Sequence, residues 1–146
     1  YHNFVTHLLE AAYQREVYRL IDKGESVQAE TLNSIYKSVL EKFWGDDVVL
    51  TEGSEHTWMR QPHYYMGLYS YTYSAGLTVA TEVVKRIESE GEKAVEDWKK
   101  VLKAGGTLSP LKLAQLGGVD ISTSKPLVST IETIGGYITE LEDIFA

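Results

Sequence analysis

The stretch that decides the fold is the first one, residues 4–21, which reads FVTHLLEAAYQREVYRLI. Its apolar side chains recur at steps of three and four residues, so they share one face of an α-helix. The same pattern returns along the chain and predicts further helices from a cap at Ser26 to Gly45, from Pro62 to about Glu90, and over residues 92–103, 110–116 and 126–145. Residues 46–61 are predicted to be of mixed structure, with a short extended piece at 48–50 and a loop at 52–55. The predicted fold class is all-α.

Composition limits the kind of protein that this chain can be. With 146 residues, 43% of them hydrophobic and 24% charged, the chain has room for one folded domain and is not a disordered segment. The absence of cysteine excludes a disulfide-stapled secreted scaffold and fits a cytoplasmic location. The net charge of -7 argues against nucleic acid as a partner, and the apolar stretches are too short for a membrane span.

The densest group of chemically useful side chains lies at residues 63–73, HYYMGLYSYTY, which hold five of the ten tyrosines. On a continuous helix they form two stripes, one with Tyr65, Tyr69 and Tyr73 and the other with Tyr64, Leu68, Tyr71 and Ala75. A phenol can donate a hydrogen bond to an oxyanion that develops during a reaction, and this is the functional interpretation. The structural alternative, which composition alone favours, is that the tyrosines form the core surface of an amphipathic helix.

The histidines do not form a zinc motif. A helical zinc site needs two histidines four residues apart with a glutamate between them. His2 and His7 are five residues apart, and His56 and His63 are seven apart. We therefore predict no metal site from this chain alone, and a single histidine such as His63 is more often structural than ligating.

A family resemblance lies in two adjacent stretches, residues 58–65 (WMRQPHYY) and residues 69–76 (YSYTYSAG). Together they resemble the C-terminal region of oligoendopeptidase F, a family of zinc metallopeptidases in the thimet-oligopeptidase superfamily. Two flanking stretches agree. Residues 4–10 are similar to the family's helix after its zinc-ligand region, and residues 109–121 with the closing helix are similar to its C-terminal end. The resemblance covers essentially the whole chain.

The resemblance implies that residues 1–146 are the C-terminal segment of the catalytic domain of a larger, helical zincin-type peptidase. In that family an H-E-x-G-H motif and a downstream glutamate hold one zinc ion, and this sequence contains neither. The motif is therefore expected upstream of Tyr1, so the chain alone is expected to bind no zinc and to be inactive. In the full-length enzyme, zinc is the expected cofactor and short peptides are the expected substrates.

The family's cleft-wall residues fall on four positions of this sequence. The resemblance implies catalytic roles for Tyr64 and Tyr71, whose phenols would stabilise the tetrahedral intermediate, and substrate binding by His63 and Tyr69. The expected partners are peptide substrates, the missing N-terminal portion of the same protein, and further copies of the chain through an exposed cleft surface. The alternative, from another functional class, is a non-catalytic helical module whose tyrosine-rich face binds a partner.

Overall fold

The computed structural model describes all 146 residues, and every regular element in it is helical. The α-helices are α1 (His7–Asp22), α2 (Ala29–Trp44), α3 (Tyr71–Glu90), α4 (Glu92–Ala104), α5 (Pro110–Leu116) and α6 (Lys125–Phe145). A π-helical turn, His2–Thr6, precedes α1, and two 3-10 helices, Ser54–Met59 and Pro62–Tyr65, lie between α2 and α3. The predicted all-α class is confirmed. No helix is both long and apolar enough to cross a bilayer.

Most helix ends follow the turn residues in the sequence. Helix α2 ends at Gly45, whose φ of +56° is a conformation that glycine adopts without steric cost. Pro110 and Pro126 both lie in the first turn of their helices, where a missing N–H is not needed. Residues 48–50 lie in the loop after α2, so the extended piece predicted there does not form a strand.

The single helix predicted to start at Pro62 is wrong at its beginning. The chain forms the second 3-10 helix, then a non-helical turn over residues 66–70, and α3 starts only at Tyr71. Gly67 has a φ of +64°, which lies outside the range of a right-handed helix. The two tyrosine stripes therefore do not form, and of the five tyrosines in this region only Tyr71 and Tyr73 lie on α3.

The chain divides into two compact units, Tyr1–Ser74 and Ala75–Ala146, and the boundary falls inside α3. The first unit is built around three buried tyrosines, Tyr13 on α1, Tyr36 on α2 and Tyr64 on the second 3-10 helix. Their rings meet edge to face at centroid distances of 5.1 to 6.0 Å, an arrangement that aromatic quadrupoles favour. We name these three residues the tyrosine core. Partly buried side chains pack around it: Val17, Leu32, Ile35, Val39, Leu40 and Trp58.

In the second unit, the guanidinium group of Arg86 connects α3 with the elements that follow it. It donates hydrogen bonds to Glu90, to Asp97 on α4 and to the carbonyl oxygen of Gly117 after α5. Gly118 has a φ of +81°, and a Cβ atom at this position would collide with the Arg86 side chain. The turn after α5 therefore needs a glycine both for its backbone conformation and for the close approach of Arg86.

Candidate active site

All four site residues predicted from the sequence lie on one segment of the first unit, residues 63–71. This segment runs from the second 3-10 helix to the first residue of α3. Tyr64 is buried and His63 is half-buried. Tyr69 and Tyr71, by contrast, are 37% and 49% exposed. The segment therefore presents the phenols of two of the four residues to solvent.

Tyr64 belongs to the tyrosine core. Its hydroxyl donates a hydrogen bond to the hydroxyl of Tyr36 at 3.0 Å, and its ring packs edge to face on Tyr13. Burial in this apolar group raises the pKa of the Tyr64 phenol far above its usual value of 10.0. The hydroxyl is thus neutral and already bonded inside the unit. This position gives Tyr64 a packing role and offers no support for the catalytic role that the family resemblance implied.

His63 is part of a second group of rings, the His63 cluster, which consists of His63, His7, Tyr69 and Tyr73. The imidazole of His63 stacks on Tyr69 at a centroid distance of 5.4 Å, and His7 stacks on Tyr73 at 4.2 Å. The Tyr73 hydroxyl donates to that of Tyr69 at 3.4 Å and lies 3.2 Å from Nε2 of His63. With the proton of this hydroxyl directed to Tyr69, the His63 tautomer that fits the arrangement carries its proton on Nε2 and donates to Tyr73.

The contacts within the His63 cluster affect the pKa of the Tyr73 phenol and the direction in which its members donate hydrogen bonds. The hydrogen bond with Tyr69, helped by partial burial, raises the pKa of the Tyr73 phenol. A line of donors also runs from His63 through Tyr73 to the oxygen of Tyr69. Since Tyr69 accepts this hydrogen bond, its own proton is free to be donated outward.

Tyr71 is the most exposed of the three candidate tyrosines. It is the first residue of α3, and its hydroxyl makes no hydrogen bond within the chain. A phenol with a free O–H can donate to a ligand without breaking an existing bond. Tyr71 therefore keeps the donor capacity that an oxyanion-stabilising group needs.

Two buried residues of α1 border this segment, and sequence reasoning missed both. Gln14, 2% exposed, donates from Nε2 to the carbonyl oxygens of His63 and Gly67 at 3.2 and 2.6 Å. Glu10, one helical turn earlier, is 1% exposed, and neither of its carboxylate oxygens has a hydrogen-bond partner. No local pattern pairs Gln14 with His63, because 49 residues separate them in the sequence.

The chain's own residues do not fit a zinc centre. Nowhere in residues 1–146 do three or more His, Asp or Glu side chains come together in a way that could hold a metal ion. The imidazoles of His7 and His63 have ring centroids 6.1 Å apart, and both stack on tyrosines of the His63 cluster. No chemical step through a metal is therefore assigned to these residues.

Comparison with known proteins gives the family of this helical chain. The sequence profile described as Peptidase family M3 matches residues 3–133. The chain belongs to peptidase family M3. This M3 chain is 31% identical over 142 residues to an oligoendopeptidase F homolog of Borreliella burgdorferi, a match that covers 97% of the chain and 24% of the relative. It is 27% identical over 134 residues to oligopeptidase PepF of Bacillus subtilis, which covers 92% of the chain and 20% of the relative.

A solved structure shares the fold of the M3 chain. The crystal structure of oligoendopeptidase-F from Enterococcus faecium matches it with a TM-score of 0.90 at 24% sequence identity. This match covers 96% of the M3 chain and 27% of the solved chain. The M3 chain thus spans between a fifth and about a quarter of the length of these relatives.

Proposed function

We propose that residues 1–146 are the C-terminal segment of the catalytic helical domain of a zinc oligoendopeptidase, and that they form part of the wall of its peptide-binding cleft. Membership of peptidase family M3 and relatives with oligoendopeptidase names support a peptidase. The chain spans about a quarter of its Borreliella relative, which supports a segment that works together with the rest of a longer protein. The zinc-binding residues then belong to that other part.

The observation that carries the proposal is a pair of exposed phenols, one of which belongs to the His63 cluster. Tyr69 and Tyr71 present hydroxyl groups at the surface of the first unit, two positions apart in the sequence. We assign peptide binding to Tyr69, whose proton is free because its oxygen accepts from Tyr73. His63 donates to Tyr73, so its contribution to peptide binding passes through Tyr73 and Tyr69. Tyr64 contributes by packing in the tyrosine core.

We assign to Tyr71 the stabilisation of the negative charge that develops during peptide-bond hydrolysis. The carbonyl oxygen of the scissile bond gains negative charge as the tetrahedral intermediate forms. A donor that is already oriented toward this oxygen stabilises the transition state more than the bound substrate, which raises kcat rather than lowering KM. The O–H of Tyr71 is available for this role because no group of the chain engages it.

The test is Tyr71→Phe in the intact enzyme that contains this segment. The ring stays and only the donor is lost, so kcat for a quenched-fluorescence peptide should fall about 10²–10³-fold while KM changes little. Tyr65→Phe is the matched control, because Tyr65 lies on the same segment, is 67% exposed and has no assigned role. A kcat of Tyr71→Phe within a few-fold of wild type would rule out Tyr71 as the oxyanion donor. An intact protein with no peptidase activity would refute the proposed function as a whole and favour the helical binding module.

A further inference from the structure

Gln14 connects α1 with the segment that carries the candidate site. Its side chain is 2% exposed, and Nε2 donates to the carbonyl oxygens of His63 and Gly67. Both acceptors are carbonyl oxygens, which have no proton to give, so the amide must present its NH2 group to them. Both protons of that group are used, and the orientation of the amide is therefore fixed by the chemistry of its partners.

The stretch that Gln14 holds leaves the helical path after Tyr65, the last residue of the second 3-10 helix. Tyr64 and Ser70 anchor its two ends by burial. Between them, residues 65–69 are all exposed, and Gly67 adopts a left-handed conformation. An exposed non-helical stretch has few contacts that limit its main-chain path. The two hydrogen bonds from Gln14 attach the main chain of this stretch to a rigid, buried helix face.

We propose that Gln14 is a positioning residue of the peptide-binding wall, because it holds the main chain that carries His63 and Tyr69. This inference rests on the proposed function. Gln14 fixes the carbonyl of His63 and that of Gly67, which lies two residues before Tyr69. The phenol of Tyr69 and the imidazole of His63 are thereby kept in the stacked arrangement described above. A displacement of about 1 Å in a substrate-positioning group can cost about 10²-fold in rate, so the loss of these two hydrogen bonds should be measurable in kcat/KM.

Two substitutions in the intact enzyme separate positioning from folding. Gln14→Met keeps the length of the side chain and removes both donors. Gln14→Glu keeps the shape but places a carboxylate against two carbonyl oxygens, and its protonated form regains one O–H donor. Gln115→Met is the matched control, because Gln115 is exposed on α5 and bonds only to the nearby Asp120 side chain.

Two readouts are needed, one of which does not depend on activity. The first is the rate of limited proteolysis by chymotrypsin after Tyr65 or Leu68, which reports the population of open conformations in the stretch. The second is kcat and KM for a quenched-fluorescence peptide. For Gln14→Met we expect at least a tenfold faster cleavage at these two sites with unchanged cleavage elsewhere, and a roughly 10- to 100-fold lower kcat/KM that comes mainly from KM. For Gln14→Glu, the deficit relative to wild type should shrink as the pH falls toward 5.

The outcomes distinguish a failure of the positioning role of Gln14 from a failure of the proposed peptidase function. Unchanged proteolysis in both variants would overturn the positioning role, whatever the activity. Faster proteolysis with unchanged kcat/KM would show that Gln14 holds the stretch without serving the reaction, which also overturns the proposal. Global unfolding of both variants would give Gln14 a general structural role instead of a local one. A wild-type protein that hydrolyses no peptide would refute the proposed function, and the proteolysis rates would still report whether Gln14 holds the stretch.

Discussion

Glu10 is a buried carboxylate that has no hydrogen-bond partner. A carboxyl group buried without a hydrogen-bond partner costs more free energy than a neutral amide of the same shape. We therefore expect Glu10→Gln to raise the free energy of unfolding at pH 7 by about 1–3 kcal/mol. Urea denaturation followed by tryptophan fluorescence would measure the change. Glu25→Gln is the control, because Glu25 is exposed, and its stability should equal that of the wild type. A less stable Glu10→Gln variant would contradict the prediction.

Individual site residues were predictable from the sequence to different degrees. Tyr69 and Tyr71 stand out in the tyrosine-rich segment, and the structure exposes both. The burial of Tyr64 could not be read from spacing, because it depends on contact with Tyr36, 28 residues away. The role of Gln14 could not be predicted from the sequence pattern either, since its partners are main-chain oxygens that every residue type provides. Local spacing identifies side chains on one element, whereas these roles arise from contacts between elements.

The tyrosine core makes the contact between α1, α2 and the second 3-10 helix sensitive to alkaline pH. Burial raises the pKa of Tyr13, Tyr36 and Tyr64 above the ordinary value of 10.0. Below pH 10 these phenols are neutral in both the folded and the unfolded chain, so the stability is fully present. Above pH 10 the unfolded chain loses their protons while the folded chain keeps them, so the free energy of unfolding falls as the pH rises.

Urea denaturation at pH 8 and pH 11 would measure this alkaline loss of stability. Tyr64→Phe removes one of the three phenols with a raised pKa, so the loss between the two pH values should be smaller than in the wild type. Tyr137→Phe, which replaces a phenol on α6 that is 61% exposed, should leave the loss unchanged. Equal losses in wild type and Tyr64→Phe would show that the folded chain does not keep the Tyr64 proton at pH 11.

At the level of elements, most helices that end at a glycine or begin at a proline were predicted well. The helix predicted from Pro62 to about Glu90 was not, because the chain interrupts it over residues 66–70. The helical spacing of tyrosines continues across residues 66–70, so periodicity alone favoured one uninterrupted helix. Gly67 was the available signal, because a glycine inside a helical pattern also permits the left-handed conformation that it adopts. Periodicity reports which residues would share a face, and it does not report whether the main chain turns between them.

Across the whole molecule, exposed apolar side chains occur on several elements, and a continuous run of them lies at the end of α6. Residues 135–146 are all exposed, and their apolar side chains follow one stripe at helical spacing: Tyr137, Ile138, Leu141, Ile144 and Phe145. Exposed apolar stripes of this kind favour association in water. We expect the 146-residue chain to self-associate in sedimentation velocity experiments and to bind a hydrophobic dye.

Two single substitutions test whether this stripe is responsible. Leu141→Glu places a charge in the stripe and should reduce both association and dye binding. Thr139→Glu adds the same charge on the opposite side of α6, as a rotation of about 100° per residue requires, and should change neither. A wild-type chain that is monomeric and binds no dye would contradict the expectation.

The hydrogen bonds of Gln14 end on main-chain oxygens, and this has an evolutionary consequence. Any amino acid at position 63 supplies the same acceptor, so a substitution there leaves the contact intact. Selection should therefore act on the glutamine itself, with no compensating change at position 63. Spatial contacts are often inferred from pairs of positions that vary together. The attachment of α1 to the candidate site should leave no such correlated pair among related sequences, although it joins residues 49 positions apart.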